Sequence, residues 1–117
     1  MCTHEQVWVK VNAPVDRGVG SLIRALSAFP QLQTLESCEN LNGRAWVTFV
    51  YGLDWRELSE FVFAYLGPKF ATALGDRVTL DIHVTSNALH RAEMAVRVPA
   101  IPAAVKLLTK LRAEFKT

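Results

Sequence analysis

The residues best equipped for recognition in this chain are two tryptophans at matching places in an internal repeat. Trp8-Val9-Lys10-Val11, then Val15-Asp16, aligns at an offset of 38 residues with Trp46-Val47-Thr48-Phe49, then Leu53-Asp54. The match runs on to Pro30 and Pro68. An indole presents a broad apolar surface with one N–H donor, which suits stacking or capture of an apolar partner. Polar side chains share their alternation: Lys10 with Trp8, Thr48 with Trp46, and Asp81 and His83 on a later strand. Asp81 and His83 stand two apart, hence on one strand face, where they offer an acid and a base.

Other reactive residue types are scattered. Cys38 as a nucleophile needs a basic neighbour. His83 is the candidate, but their strands are expected at opposite sheet edges, so Cys38 reads as a partly buried structural residue. Cys2, His4 and His90 are ligand types without a metal-site spacing, and no metal or cofactor is expected. Lys106, Lys110, Arg112 and Lys116 form the solvated side of the last helix.

Each copy of the repeat reads as a strand, a turn ending in Asp, and a helix. Val7, Val9 and Val11 alternate with Trp8 and Lys10 over residues 6–12. Asp16 can cap a helix whose stripe is Val19, Leu22, Ile23, Leu26 and Phe29, ended by Pro30. Residues 32–38 read as a second strand of poor alternation and uncertain register. Asn42-Gly43 is a hairpin turn signal. Residues 44–51 follow as a third strand, with Ala45, Val47, Phe49 and Tyr51 on one face. Asp54 and Glu57 have capping-box spacing, and Leu53 with Leu58 suits a hydrophobic staple. Trp55, Leu58, Phe61, Val62, Tyr65 and Leu66 make the second helix's buried stripe. Gly67-Pro68 should break or kink it, with a short continuation over 69–74. Val78, Leu80, Ile82 and Val84 mark a fourth strand. Ser86-Asn87-Ala88 is a turn, and residues 90–98 a fifth strand with Ala92, Met94, Val96 and Val98 inward. Pro102 opens a final helix with Ile101, Val105, Leu108, Leu111 and Phe115 inward.

The order β-α-β-β-α-β-β-α predicts an α+β domain over residues 1–117. Its first six elements match a ferredoxin-like split β-α-β core, extended by the fifth strand and a C-terminal helix. Strands one and three should then be central neighbours, with two helices on one sheet face. The last helix could join them or cross to the open face.

The chain has 117 residues, half of them hydrophobic and 21% charged, the profile of one soluble globular domain. A net charge of +2 announces no polyanion partner. The longest apolar run, Phe61 to Leu66, is far too short to span a bilayer. Met1 to Glu5 lacks the features of a signal peptide. Two cysteines make no disulfide framework, so a reduced, cytoplasmic setting is expected.

Three uses of the Trp face compete. The last helix or a second subunit packs over it. A small apolar molecule binds on it, with polar groups at the rim. Single-stranded nucleic acid stacks on it, since aromatics on two central strands resemble the platform of RNA-recognition motifs. Against that last use, Arg44-Ala45-Trp46-Val47-Thr48-Phe49-Val50 lacks the Gly- and aromatic-rich segment of that family. Asp81 and Glu93 also make the face acidic.

The junction Val15-Asp16-Arg17-Gly18-Val19-Gly20-Ser21-Leu22 resembles that of ACT-type regulatory domains, which carry an Asp, a basic residue and Gly before a Leu-rich helix. That resemblance implies an amino-acid-like effector near Asp16, Arg17 and Gly18 at a subunit interface. The usual Pro-Gly pair is absent, and an Asp cap with two glycines is also a plain way to start a helix. Glu36-Ser37-Cys38-Glu39-Asn40 is similar to a segment of small proteins that carry Ser-Cys-Glu-Gly, with Asn40 in place of the Gly; no activity follows from that likeness. The expectation is a non-enzymatic binding or interaction domain, self-associating, with Trp8, Lys10, Trp46, Thr48, Asp81 and His83 as binding residues. A small enzyme using Asp81 and His83 is the main alternative, and nucleic-acid binding on the Trp platform the second.

Overall fold

The computed structural model describes residues 17–39, 43–84 and 90–116. The expected strand at 6–12, with Trp8 and Lys10, the cap Asp16 and the turn Ser86-Asn87-Ala88 lie outside the described residues. Among those described, the chain is α+β, with three helices and one four-stranded antiparallel sheet.

Helix α1 (Arg17–Ser27) precedes a hairpin of β1 (Leu32–Glu39) and β2 (Arg44–Tyr51). Gly43 has φ +78°, a left-handed conformation that glycine adopts without steric cost; Asn42 lies outside the described residues. Helix α2 follows as three segments in one rod: α-helical Trp55–Ser59, π-helical Glu60–Leu66 and α-helical Gly67–Leu74. A 3-10 turn (Gly75–Arg77) leads to β3 (Val78–Val84), which pairs with β4 (His90–Arg97). A second 3-10 turn (Val98–Ala100) starts α3 (Ile101–Glu114).

The strand order is β1-β2-β4-β3. The 78–84 and 90–97 strands pair as expected. The expected adjacency of 6–12 and 44–51 does not survive, because both sides of β2 are occupied, by β1 and by β4. The β4 strand fills the central place that a ferredoxin-like order reserves for the first strand. Two hairpins are thus joined back to back, and α2 is the crossover between the parallel strands β2 and β3.

Three further expectations change for local reasons. Gly67-Pro68 does not break α2. Gly67 N–H reaches back to Val62 O, five residues away, and the backbone stays helical at φ −54°, ψ −55°. Widening the turn to a π register accommodates a proline that has no N–H to give. The staple between Leu53 and Leu58 is not made: Leu58 is buried and Leu53 is 93% exposed. Trp55, expected in the buried stripe, is 54% exposed. The cap itself forms. Asp54 Oδ1 accepts from Glu57 N–H at 3.0 Å, and Glu57 Oε2 accepts from Leu53 N–H at 3.0 Å, one residue before the usual target.

All three helices pack on one face of the sheet. Leu22 and Leu26 of α1, Phe61, Leu66 and Phe70 of α2, and Ala104 and Leu108 of α3 form one apolar cluster with Val47, Phe49, Met94 and Val96. Arg112 Nε donates to Ala28 O at 2.8 Å and the Tyr65 hydroxyl to Leu111 O at 3.1 Å, tying α3 to the other two helices. The last helix therefore belongs to the inner layer and does not cross the sheet.

Candidate functional site

With the helices on one face, alternation decides what the other face carries. Paired residues of antiparallel strands lie on the same side. Trp46 is opposite Cys38 and Ala95, Thr48 opposite Glu36 and Glu93, and His83 opposite Arg91. The outer face therefore gathers Trp46, Thr48, Asp81 and His83, as expected. Trp46, Val50 and Ala95 are half-buried there, in a strip along the two central strands.

Ionisable side chains flank the strip in pairs. Arg91 Nη1 reaches across β2 to Glu36 Oε1 on the far strand at 3.7 Å, and His83 Nε2 lies 3.7 Å from Glu93 Oε1. Arg91 Nε is buried with no hydrogen-bond partner. His83 thus faces Glu93 across the hairpin, and not its intended partner Asp81, which is exposed. Asp81 and His83 line neither the cleft formed by Val50 to Trp55, Leu58 and His90 nor the cleft on the helical side formed by Tyr51, Phe115 and the α2 side chains between Glu57 and Tyr65.

Thr48 has a structural task. The β1–β2 register shifts between Thr34 and Glu36, leaving Leu35 as the extra residue of a bulge. Thr48 Oγ1 accepts from Glu36 N–H at 3.0 Å and donates to Glu36 O at 3.4 Å. One hydroxyl so satisfies backbone groups that the bulge takes out of the ladder. The bulge also explains why the alternation of 32–38 is hard to read, and why Glu36 and Cys38 escaped placement on this face.

Cys38 is 3% exposed and disulfide-bonded, so it supplies no thiolate. Arg17 and Gly18 are already helical, in the first turn of α1. A Cβ on Gly18 would stand 2.9 Å from Glu39 Oε1 and 3.3 Å from Ile101 Cδ1. This glycine lets α1 approach β1 and α3 closely, a packing reason for its presence. Among the described residues no group of three or more His, Cys, Asp or Glu could hold a metal ion, and no helix is long and apolar enough to cross a membrane.

Comparison with known proteins finds no matching family model, no matching curated protein and no matching solved structure.

Proposed function

We propose that this chain is a non-enzymatic binding module that uses the outer sheet face to associate with a second protein surface, in the first instance another copy of itself. The observation behind this reading is the one-sided packing of the helices. It leaves a half-buried strip of Trp46, Val50 and Ala95 bordered by the pairs Glu36–Arg91 and His83–Glu93. An apolar strip inside a charged rim is the usual anatomy of a protein interface, and Trp is a frequent anchor in one. A small apolar ligand on the same strip is the companion form of the proposal. Glu36, Asp81 and Glu93 around the strip disfavour a phosphate backbone.

Cytoplasmic residence, expected from composition, is not carried into the proposal, because a disulfide at Cys38 suits an oxidising compartment.

The test is the molar mass of the full chain by light scattering across a concentration series, with and without Trp46→Ala. A concentration-dependent oligomer that the variant converts to a folded monomer is expected. A monomer at every concentration, or an oligomer indifferent to Trp46→Ala, would overturn the self-association reading.

A further inference from the structure

Where β2 ends against α2 and the tail of α3, the rings of Tyr51, Phe61, Tyr65 and Phe115 and the side chains of Glu57 and Glu60 surround an open cleft of about 400 Å³. That is the size of a small-molecule site. It lies on the helical side of the molecule, away from the Trp46 strip. We propose that this cleft binds an organic ammonium group, a quaternary or methylated amine, with the rings as walls and the two carboxylates as rim.

The walls are set in advance. Phe61 stacks on Tyr51 with centroids 4.1 Å apart and planes within 2°. It lies 5.9 Å from Tyr65 at 25°. Phe115 closes the end, edge-on to Phe61 at 5.9 Å and to Tyr65 at 5.3 Å. The hydrogen bond from the Tyr65 hydroxyl to Leu111 O holds that ring in place. Walls already ordered lose little conformational freedom when a ligand arrives.

The electrostatics select the sign of the ligand. Aromatic faces carry negative potential, and a desolvated alkylammonium gains most from them. Glu57 and Glu60 add full negative charges. Burial first, and then the field of a carboxylate, raises both phenol pKa values above the ordinary tyrosine range: Glu57 acts on Tyr51 and Glu114 on Tyr65. The chain's own Lys69 ammonium already sits 5.4 Å from the Tyr65 centroid. Nearby cations on α2, α3 and its tail are Lys69, Arg112, whose Nε donates to Ala28 O, and Lys116, next to Phe115 in sequence; none of the three lines the cleft. A neutral ligand would forgo these attractions, and an anion would be repelled.

Choline and its uncharged isostere 3,3-dimethylbutan-1-ol separate charge from shape. Each is titrated into the full chain while the ring signals of Tyr51 and Tyr65 are followed by NMR. Choline should give saturable shifts with a dissociation constant on the order of 1–10 mM, as befits a shallow cleft. The alcohol should bind at least about tenfold more weakly. Glu60 is exposed on α2, so Glu60→Gln and Glu60→Lys can be checked for intact folding by thermal melts. The first should weaken choline binding severalfold, and the second should abolish it. A short peptide bearing trimethyl-lysine separates the two sources of such a group: tighter binding than choline points to a partner's side chain, and equal binding to a free amine. Equal responses to choline and the alcohol, or a choline response indifferent to Glu60→Lys in a folded protein, would overturn the proposal. Neither outcome depends on the oligomer test at Trp46.

Discussion

On the inner face of the sheet, Val47, Phe49, Met94 and Val96 are wholly buried beneath three helices, while one residue along the same strands Trp46, Val50 and Ala95 stay half-buried among charged groups. The two faces share one backbone and one register. They differ only in what the chain's own helices cover. Inner side chains are therefore committed to stability, while among the described residues no helix covers the outer ones. Thr48 and Cys38 are buried on the outer face, and the Thr48 hydroxyl maintains the sheet.

Large-to-small substitution should separate the faces most sharply. Phe61 touches Phe29, Phe49, Tyr51, Tyr65 and Phe115 and is 4% exposed. Phe61→Ala should cost about 3–5 kcal/mol in denaturant melts through the cavity it opens. Trp46→Ala should cost clearly less; a larger loss at Trp46 would mean that its face is core and would end the comparison.

Thr48→Val keeps the shape and removes the hydroxyl. The Glu36 N–H at the bulge then lacks its acceptor, and a loss of about 1–3 kcal/mol is expected. Hydrogen exchange at Glu36 should rise in the same variant. An unchanged exchange rate would show that the ladder does not need this side chain.

Asp54→Ala removes the acceptor for Glu57 N–H and should cost about 1 kcal/mol. The expected ranking places it well below Phe61→Ala; the reverse order in melts would show that α2 depends on its start more than on its buried side.

The smallest effect concerns pH, and it too is confined to the helical side. Tyr51 and Tyr65 have pKa values raised above 10.0 by burial and then by Glu57 and Glu114 respectively. A raised phenol favours the protonated form in the folded state. Its contribution is present below pH 10 and fades as pH climbs through the folded-state value. Melting temperature should therefore fall above pH 10, and Tyr65→Phe should flatten that fall. Equal alkaline loss in the wild type and Tyr65→Phe would assign the effect elsewhere.

Much of each element was legible locally. The alternation of Ala45-Trp46-Val47-Thr48-Phe49 sorts inner from outer residues without any structure, because a strand has only two sides. Asp54 with Glu57 marks the start of α2, because caps are satisfied within a few residues; Asn42 of the expected Asn42-Gly43 turn lies outside the described residues. The bulge at Leu35 hid Glu36 and Cys38, since one extra residue reverses the sides of everything after it. The candidate face was legible on β2 and β3, and its ion pairs were not: Glu36 and Arg91 are far apart in sequence and meet only across an intervening strand.

The sequence by itself determined the α+β class, the element boundaries within a few residues, and which side chains of β2, β3 and β4 face inward. Those properties rest on periodicity and on local hydrogen bonds. Tertiary structure alone decided that β4 and no other strand lies beside β2, that α3 joins the inner layer, and that α2 runs through Gly67-Pro68 in a π turn. A strand edge offers the same N–H and C=O groups to any partner, so pairing order is chosen by which arrangement buries the apolar faces together. Here that arrangement sets Val47 against Met94, and the same choice sets Trp46 beside Ala95 on the side the helices leave open.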